Sequence, residues 1–598
     1  MNRTLIPFAL VLMFNGLLRA DPHLTSWYTK DSGKYARLFT STANESAGAA
    51  VTTWSRGAGT ENAPAYSGVQ EISYSDTYVY IRTTGLPSHV MGPWYLDAAK
   101  TQNFPNFPGH TNTVYRIPRN PAPAGTKTAT GLGASGFYVN GVAMFDMRDA
   151  FSYRNASAQD ATPVNGLTGD GVWNREAYHN EGVTFDAGLA HQAGEQYHYH
   201  AQPPALRWQL GDHVDYNAAT NRYTESTSPV TKHSPILAWA ADGYPVYGPY
   251  GFASALDSAS GLRRMTSGFV LRDGQNGTVS LTNTGRTTLP AWAARVQGRA
   301  TALAANLQGP AVSATYALGH YLEDYEYLGD LGKTQGVDFD LNEQNARWCV
   351  TPEFPQGTWA YFCTITAAGV PVFPYSTGRQ YYGTAGGGTV QSITEAVTSY
   401  WKGGPDAAVE VNGISRNAVN GAMTPVWSSV EGGTYKLETS ASLSGWTDLM
   451  TNIASGGTST SATDNTASLA ARRFYRVTRT ALANYDSTGN GGTGTGGGGG
   501  AGIVSVSPAT GARGTPFTLT VNLDAAATPP LPPQMVPPAS VSIGTTAGTN
   551  RVHVTQTQVT AGFTIPVNAA TGAQTVTVTF TTPNGTNTYT LTNGFTVQ

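Results

Sequence analysis

The sequence predicts a mainly β, multidomain chain: a β-rich amino-terminal module with minor helix, followed by two small β-sandwich modules. Three observations predict this. The 598 residues include 69 glycines and 35 prolines, a composition that suits many short strands joined by turns. Segments such as Glu71-Ile72-Ser73-Tyr74, Tyr78-Val79-Tyr80-Ile81-Arg82 and Thr113-Val114-Tyr115-Arg116-Ile117 alternate in the manner of strands. The length exceeds one ordinary domain, and glycine-rich stretches interrupt the chain at Gly386-Gly387-Gly388 and from Asp486 to Gly502.

Residues 1–20 read as an export signal, with Arg3 at the positive end, a largely apolar run from Leu5 to Leu18, and Leu18-Arg19-Ala20 as the cleavage end. The mature chain is then expected to begin at Asp21 and to lie outside the cell or on its surface. Nothing after it is long and apolar enough to be a transmembrane segment. An amino-terminal copper chelate at Asp21-Pro22-His23 is excluded, because Pro22 lacks the amide hydrogen such a site must lose. Residues 21–390 form the amino-terminal module; with His23 in its opening residues set aside, it holds nine of the eleven histidines, His553 lying at the far end of the chain. Its one helical candidate is Leu289 to Leu307, rich in Ala and Leu with Pro290 near the start. In 391–485, short strands separated by Gly, Ser and Asn predict a β-sandwich. Residues 486–502 have too little apolar surface to order themselves and read as a tether. The last block, 503–598, is again a small sandwich, with a proline-rich insertion from Pro529 to Pro538.

A formal charge of −3 and 12% charged residues argue against nucleic acid and anionic membranes as partners, since both require basic patches. The expected partner is a neutral or small extracellular ligand or polymer. The chemistry-bearing pattern is Tyr197-His198-Tyr199-His200, which carries two of only eleven histidines. In a strand, side chains two apart share a face, so the two imidazoles point the same way about 7 Å apart, as metal ligands do. A polar pocket with hydrogen-bonded histidines and no metal is the alternative. Four residues are candidates to complete a site: His191, which can fold back beside the pair through a turn at Gly194, together with His89, Asp186 and Asp242. Three histidines leave an open position on zinc or copper, as a catalytic metal needs. The aspartates are candidates either as ligands or as acceptors that orient an imidazole.

Phe185-Asp186-Ala187-Gly188-Leu189-Ala190-His191 leads into the tetrapeptide, and Asp242-Gly243-Tyr244-Pro245-Val246-Tyr247-Gly248 follows it. Together these blocks resemble the YHYH family of secreted proteins over about residues 60–385. Gly85-Leu86-Pro87-Ser88-His89 and Asp338 to Glu343 with Arg347 resemble its opening and closing blocks. The resemblance names a module and implies no particular reaction. Tyr435 to Ser440, Gly445-Trp446 and Arg473 to Val477 resemble fibronectin-type or immunoglobulin-like modules, and Ile503 to Gly511 resembles the opening of an IPT/TIG module.

The two cysteines, Cys349 and Cys363, stand symmetrically about Gln356 in a turn-rich stretch. A hairpin folded there predicts a disulfide, the usual state in an exported protein; one cysteine as a copper thiolate ligand is the sharper alternative. The acidic group Glu323, Asp324, Glu326, Asp330, Asp338, Asp340 and Glu343 is expected to be a solvated surface, because no spacing matches a calcium loop. No serine-hydrolase elbow, zincin helix, phosphate loop or dinucleotide fingerprint is present. Two functions stay open: an extracellular metalloenzyme, either a hydrolase or a copper redox protein, tethered by the later modules, or a non-catalytic surface or adhesion protein with a structural histidine pocket.

Overall fold

The structure, a computed structural model, describes residues 21–404, 409–429, 433–456, 459–467, 472–481, 503–508, 510–523, 538–555, 558–582 and 585–597. The expected export signal, the tether and most of the proline-rich insertion lie outside the described residues. The chain divides into two units, one made by described residues up to 481 and one by those from 503.

The alternation read in the sequence becomes a mixed eight-stranded sheet at the centre of the amino-terminal module. Its strands in chain order are β1 (Gly136–Tyr138), β2 (Ala143–Met144), β3 (Ala190–Ala193), β4 (Gln196–Tyr199), β5 (Ile236–Ala240), β6 (Pro245–Tyr247), β7 (Ala346–Cys349) and β8 (Thr358–Phe362). They lie side by side as β3-β4-β2-β1-β5-β6-β8-β7. The β4–β2 and β6–β8 pairs are parallel and the others antiparallel. β5 reads Ile-Leu-Ala-Trp-Ala and is buried throughout, as a central strand covered on both faces must be. A five-stranded sheet carries Val69–Tyr74, Tyr78–Thr83 and Thr113–Pro118, and one hydrophobic core links it to the large sheet.

That second sheet reaches beyond residue 390. Gly388–Val390 pairs with Thr113–Pro118, and Thr398–Trp401 pairs with Val69–Tyr74, so the segment past the glycine stretch covers both edges. Pairing satisfies backbone groups that an open edge would leave bare. The expected helix from 289 to 307 is shorter, Ala291–Gln297, because Gly298 turns left-handed at φ +62° and ends it.

Only part of the acidic group is a solvated surface: Asp330 and Asp338 are exposed, whereas Glu323, Asp324, Glu326 and Asp340 are buried. Asp324 and Arg286 are both fully buried and pair at 2.7 Å, and Asp340 is buried against Arg263 and Thr266. Arg272 lies among Glu323, Asp324 and Glu326. Carboxylates at this depth need charge partners, and distant arginines in the sequence supply them.

The two cysteines do not meet. Both are free and buried, and the β7–β8 register sets Cys349 opposite Thr358. The turn closes around Phe354, whose amide bonds Thr351 Oγ1 and whose carbonyl accepts the Thr351 and Gly357 amides. Phe362 N–H donating to the Asn345 carbonyl continues that register and places Cys363 five residues out of step with Cys349, about 16 Å along the strand.

Residues 409–481 form two three-stranded sheets, Val411–Arg416 with Met423–Ser428 and Ser459–Ser461, and Thr447–Ala454 with Thr434–Ser440 and Phe474–Ala481. Trp427, Tyr435 and Leu437 are buried among them. The second unit stacks a four-stranded and a five-stranded sheet around Leu519, Val521, Phe563, Val578, Phe580 and Phe595. Each block thus sets two small sheets around buried apolar side chains.

Candidate metal centre

β3 and β4 form a hairpin whose two-residue turn uses Gly194 at φ +62°, a conformation glycine adopts without strain. The register sets His191 directly across from His198, and His200 follows two residues on, on the same face. The structure therefore brings these three residues together: all are buried, and one ring nitrogen of each lies within 4.8 Å of the others. This buried group has the donors to hold a metal ion.

The second ring nitrogen of each histidine is already committed. His198 Nδ1 is 3.0 Å from the Gln196 carbonyl and His200 Nδ1 is 2.6 Å from the Asp146 carbonyl. His191 Nδ1 is 2.8 Å from Thr184 Oγ1, which itself donates to the Glu181 carbonyl at 2.6 Å. A carbonyl only accepts, and the threonine hydroxyl has spent its hydrogen, so each Nδ1 carries the proton and each Nε2 presents a lone pair. Two of these lone pairs, on His198 and His200, face each other at 3.1 Å. With no hydrogen between them the contact is repulsive unless a cation sits among the rings. Burial, and for His191 and His198 also the neighbouring imidazoles, hold all three below the ordinary histidine pKa, so protonation is a poor substitute for a metal. Phe145 stacks on His198 at 3.9 Å and Phe185 packs edge-on against His191 at 4.9 Å, fixing the ring planes.

Residues 114–373 match the family model described as YHYH protein. The match covers both central blocks and the closing block of the YHYH module and leaves the block around His89 outside. No curated protein matches the chain.

The other predicted site residues lie elsewhere in the amino-terminal module. His89 is buried on the opposite face of β4, its Nε2 bonded to Tyr199 Oη at 2.8 Å and its Nδ1 to the Val90 carbonyl. Asp186 is on that face too, accepting from Tyr197 Oη at 2.9 Å and from the amides of Gly92, Gly188 and Ala190. Neither reaches the three imidazoles, because strand alternation points the tyrosines away from the histidines. Asp242 belongs to the turn between β5 and β6, where it accepts from Tyr361 Oη at 2.6 Å and from the amides of Tyr244 and Gly383. The cysteines are not in the group, so a copper–thiolate centre is not built here. His23 packs on Trp239 at 3.9 Å, and its Nε2 bonds the Gly243 carbonyl.

Sequence reasoning missed Glu181. It ends the short helix Ala177–Glu181, which the Glu176 side chain caps by accepting from the Tyr178 and His179 amides. Its Oε2 lies 3.3 Å from His200 Nε2 and 3.7 Å from His191 Nε2. Burial, with the Asp149 charge nearby, pushes its carboxyl up to about 9. A cavity of about 550 Å³ opens over these groups, lined by Phe104, Phe145 and Phe151 and by Arg175, Asp149 and Glu181.

Proposed function

We propose that the YHYH module is an extracellular metalloprotein in which His191, His198 and His200 hold a divalent transition metal, zinc or copper, at the floor of a mostly apolar cavity. The observation that carries this reading is the convergence of three Nε2 lone pairs whose Nδ1 protons are all committed outward. Imidazole donors suit both metals. When bound, the ion supplies a Lewis acid if it is zinc and a redox couple if it is copper.

The chain's own residues do the rest. Gln196, Asp146 and Thr184 set the tautomers, and the phenylalanines hold the rings and exclude water. Apart from Glu181, the wall charges nearest the triad are paired, Arg148 with Asp146 at 2.8 Å and Arg175 with Asp149 at 2.8 Å. Leu96, Leu132, Val164 and Val183 line the cavity although each is exposed, Val164 at 94%. An uncharged small molecule with an apolar body fits these surroundings, in line with a metalloenzyme acting on a neutral substrate. The two sandwiches, which resemble fibronectin-type and IPT/TIG modules, would place the YHYH module on a surface or polymer.

The test is the metal content of protein purified without chelators, together with re-binding of Zn²⁺ and Cu²⁺ after stripping. One ion per chain in the wild type and none in the double variant His198→Ala, His200→Ala, with both proteins folded, supports the reading. A wild type that neither retains nor re-binds an ion makes the histidine group a structural pocket.

A further inference from the structure

We infer that Glu181 is the fourth protein donor to the ion held by His191, His198 and His200, making the centre a three-imidazole, one-carboxylate site. This deepens the reading above and rests on it.

The carboxylate oxygen Oε2 is buried with no hydrogen-bond partner among the described residues. Burying such an atom unpaired is costly, and its neighbours offer no proton. The two closest ring nitrogens, at 3.3 and 3.7 Å, belong to imidazoles whose N–H groups point outward to the Asp146 carbonyl and the Thr184 hydroxyl. The Arg175 guanidinium is turned to Asp149. A hydrogen on this carboxyl can serve only one imidazole lone pair at a time and still leaves His198 Nε2 and His200 Nε2 facing each other, whereas a shared cation satisfies the carboxylate and all three lone pairs at once.

The spacing agrees. Bonds of about 2.0–2.1 Å to a tetrahedral ion place neighbouring donors about 3.3–3.4 Å apart. His198 Nε2 to His200 Nε2 is 3.1 Å, Glu181 Oε2 to His200 Nε2 is 3.3 Å and Glu181 Oε2 to His191 Nε2 is 3.7 Å. These three edges bracket the ideal length and connect all four residues. The His191 ring is also tied to the Glu181 backbone, since the Thr184 hydroxyl that orients His191 donates to the carbonyl of Glu181 itself.

A carboxylate donor changes what the centre holds. Three neutral imidazoles leave a dication with its full charge, whereas the added carboxylate lowers the net charge of the occupied site to +1. It also adds a hard oxygen to the borderline nitrogens, favouring divalent ions over soft monovalent ones.

The experiment uses the full chain and compares the wild type with Glu181→Gln, which keeps the side-chain shape, and with Glu195→Gln, an exposed carboxylate at the hairpin turn. Zn²⁺ affinity is measured by competition with a chelator, and the Co²⁺-loaded forms are compared by visible absorption. Glu181→Gln is expected to lose more than the roughly 10–100-fold that removal of an outer-shell partner brings and to alter the Co²⁺ bands, while Glu195→Gln matches the wild type. Unchanged affinity with an unchanged Co²⁺ spectrum in folded Glu181→Gln overturns the inference. In the wild type, the infrared difference between zinc-loaded and zinc-free protein should carry a carboxylate band, and its absence also overturns it. A wild type that binds no ion refutes the metal reading itself, a different result from a wild type that binds and a Glu181→Gln variant that binds equally well.

Discussion

Thr184→Val is the substitution that separates an oriented histidine centre from a chance cluster. Valine keeps the shape and removes one hydroxyl, which accepts from His191 Nδ1 at 2.8 Å and donates to the Glu181 carbonyl at 2.6 Å. Without the acceptor, His191 is free to move its proton to Nε2, where it points into the centre and blocks the lone pair. Loss of an outer-shell partner of this kind lowers metal affinity by about 10–100-fold, equivalent to about 1.4–2.7 kcal/mol. The same change leaves a buried carbonyl and a ring N–H without their partner, a loss of about 1–3 kcal/mol of stability per group where water does not replace it. Chelator competition for Zn²⁺ reads the first effect, and urea unfolding of the zinc-free protein reads the second. Thr184→Ser keeps the hydroxyl and should recover most of both. A Thr184→Val protein that binds zinc as tightly as the wild type, with zinc-free stability reduced as expected, would refute the argument that Nδ1 orientation organises the centre.

Further outcomes follow from the geometry. Tyr199→Phe removes the hydroxyl bonded to His89 and Asn140, so it should destabilise the module by about 1–3 kcal/mol in denaturant unfolding yet leave metal content intact; loss of the metal would show that the tyrosine face takes part in binding. Cys349 and Cys363 should react with a thiol reagent only after denaturation, because both are wholly buried, and a linked peptide pair in non-reduced mass spectrometry would contradict the register described. Truncation after Gly404 should leave a folded amino-terminal module with the same metal content as the full chain, whereas truncation at 390 strips the edge strand Thr398–Trp401 and should lower the unfolding midpoint; equal midpoints would mean that this strand contributes nothing to the module.

Much of the centre was legible because strand periodicity is strict. A two-residue spacing puts His198 and His200 on one face, and the Gly194 turn brings His191 across from them, so the cluster of three imidazoles follows from local sequence alone. The same alternation explains the misassigned residues. His89 and Asp186 are buried polar groups recruited by tyrosine hydroxyls, and one sequence does not show which face of β4 a distant side chain will meet. Glu181 left only its place ten residues before His191 as a signal, since the short helix and the 3₁₀ turn Gly182–Thr184 that swing it under the rings have no periodic pattern. The hairpin holding the cysteines was foreseen, but its register depends on a turn set by Thr351, Phe354 and Gly357 rather than by symmetry. Likewise the acidic group looked solvated because its arginines, at 263, 272 and 286, are remote in sequence and close only in space.

The alternation of tyrosine and histidine along β4 also explains why the centre is preorganised. A strand slipped by one residue would turn the tyrosines into the cavity and the histidines into the core. Three independent anchors oppose this. β3 pairs His191 with His198 on one edge, and β2 pairs Ala143 with His198 and Met144 with Tyr199 on the other. On the far face Tyr197 is held by Asp186, and Tyr199 by His89 and Asn140, with both rings buried. Each hydroxyl is specific to its register, since a slip would take from buried Asp186 and His89 their tyrosine partners. The rigidity that aims three imidazole lone pairs at one point is thus built on the side of the strand that never meets the ligand.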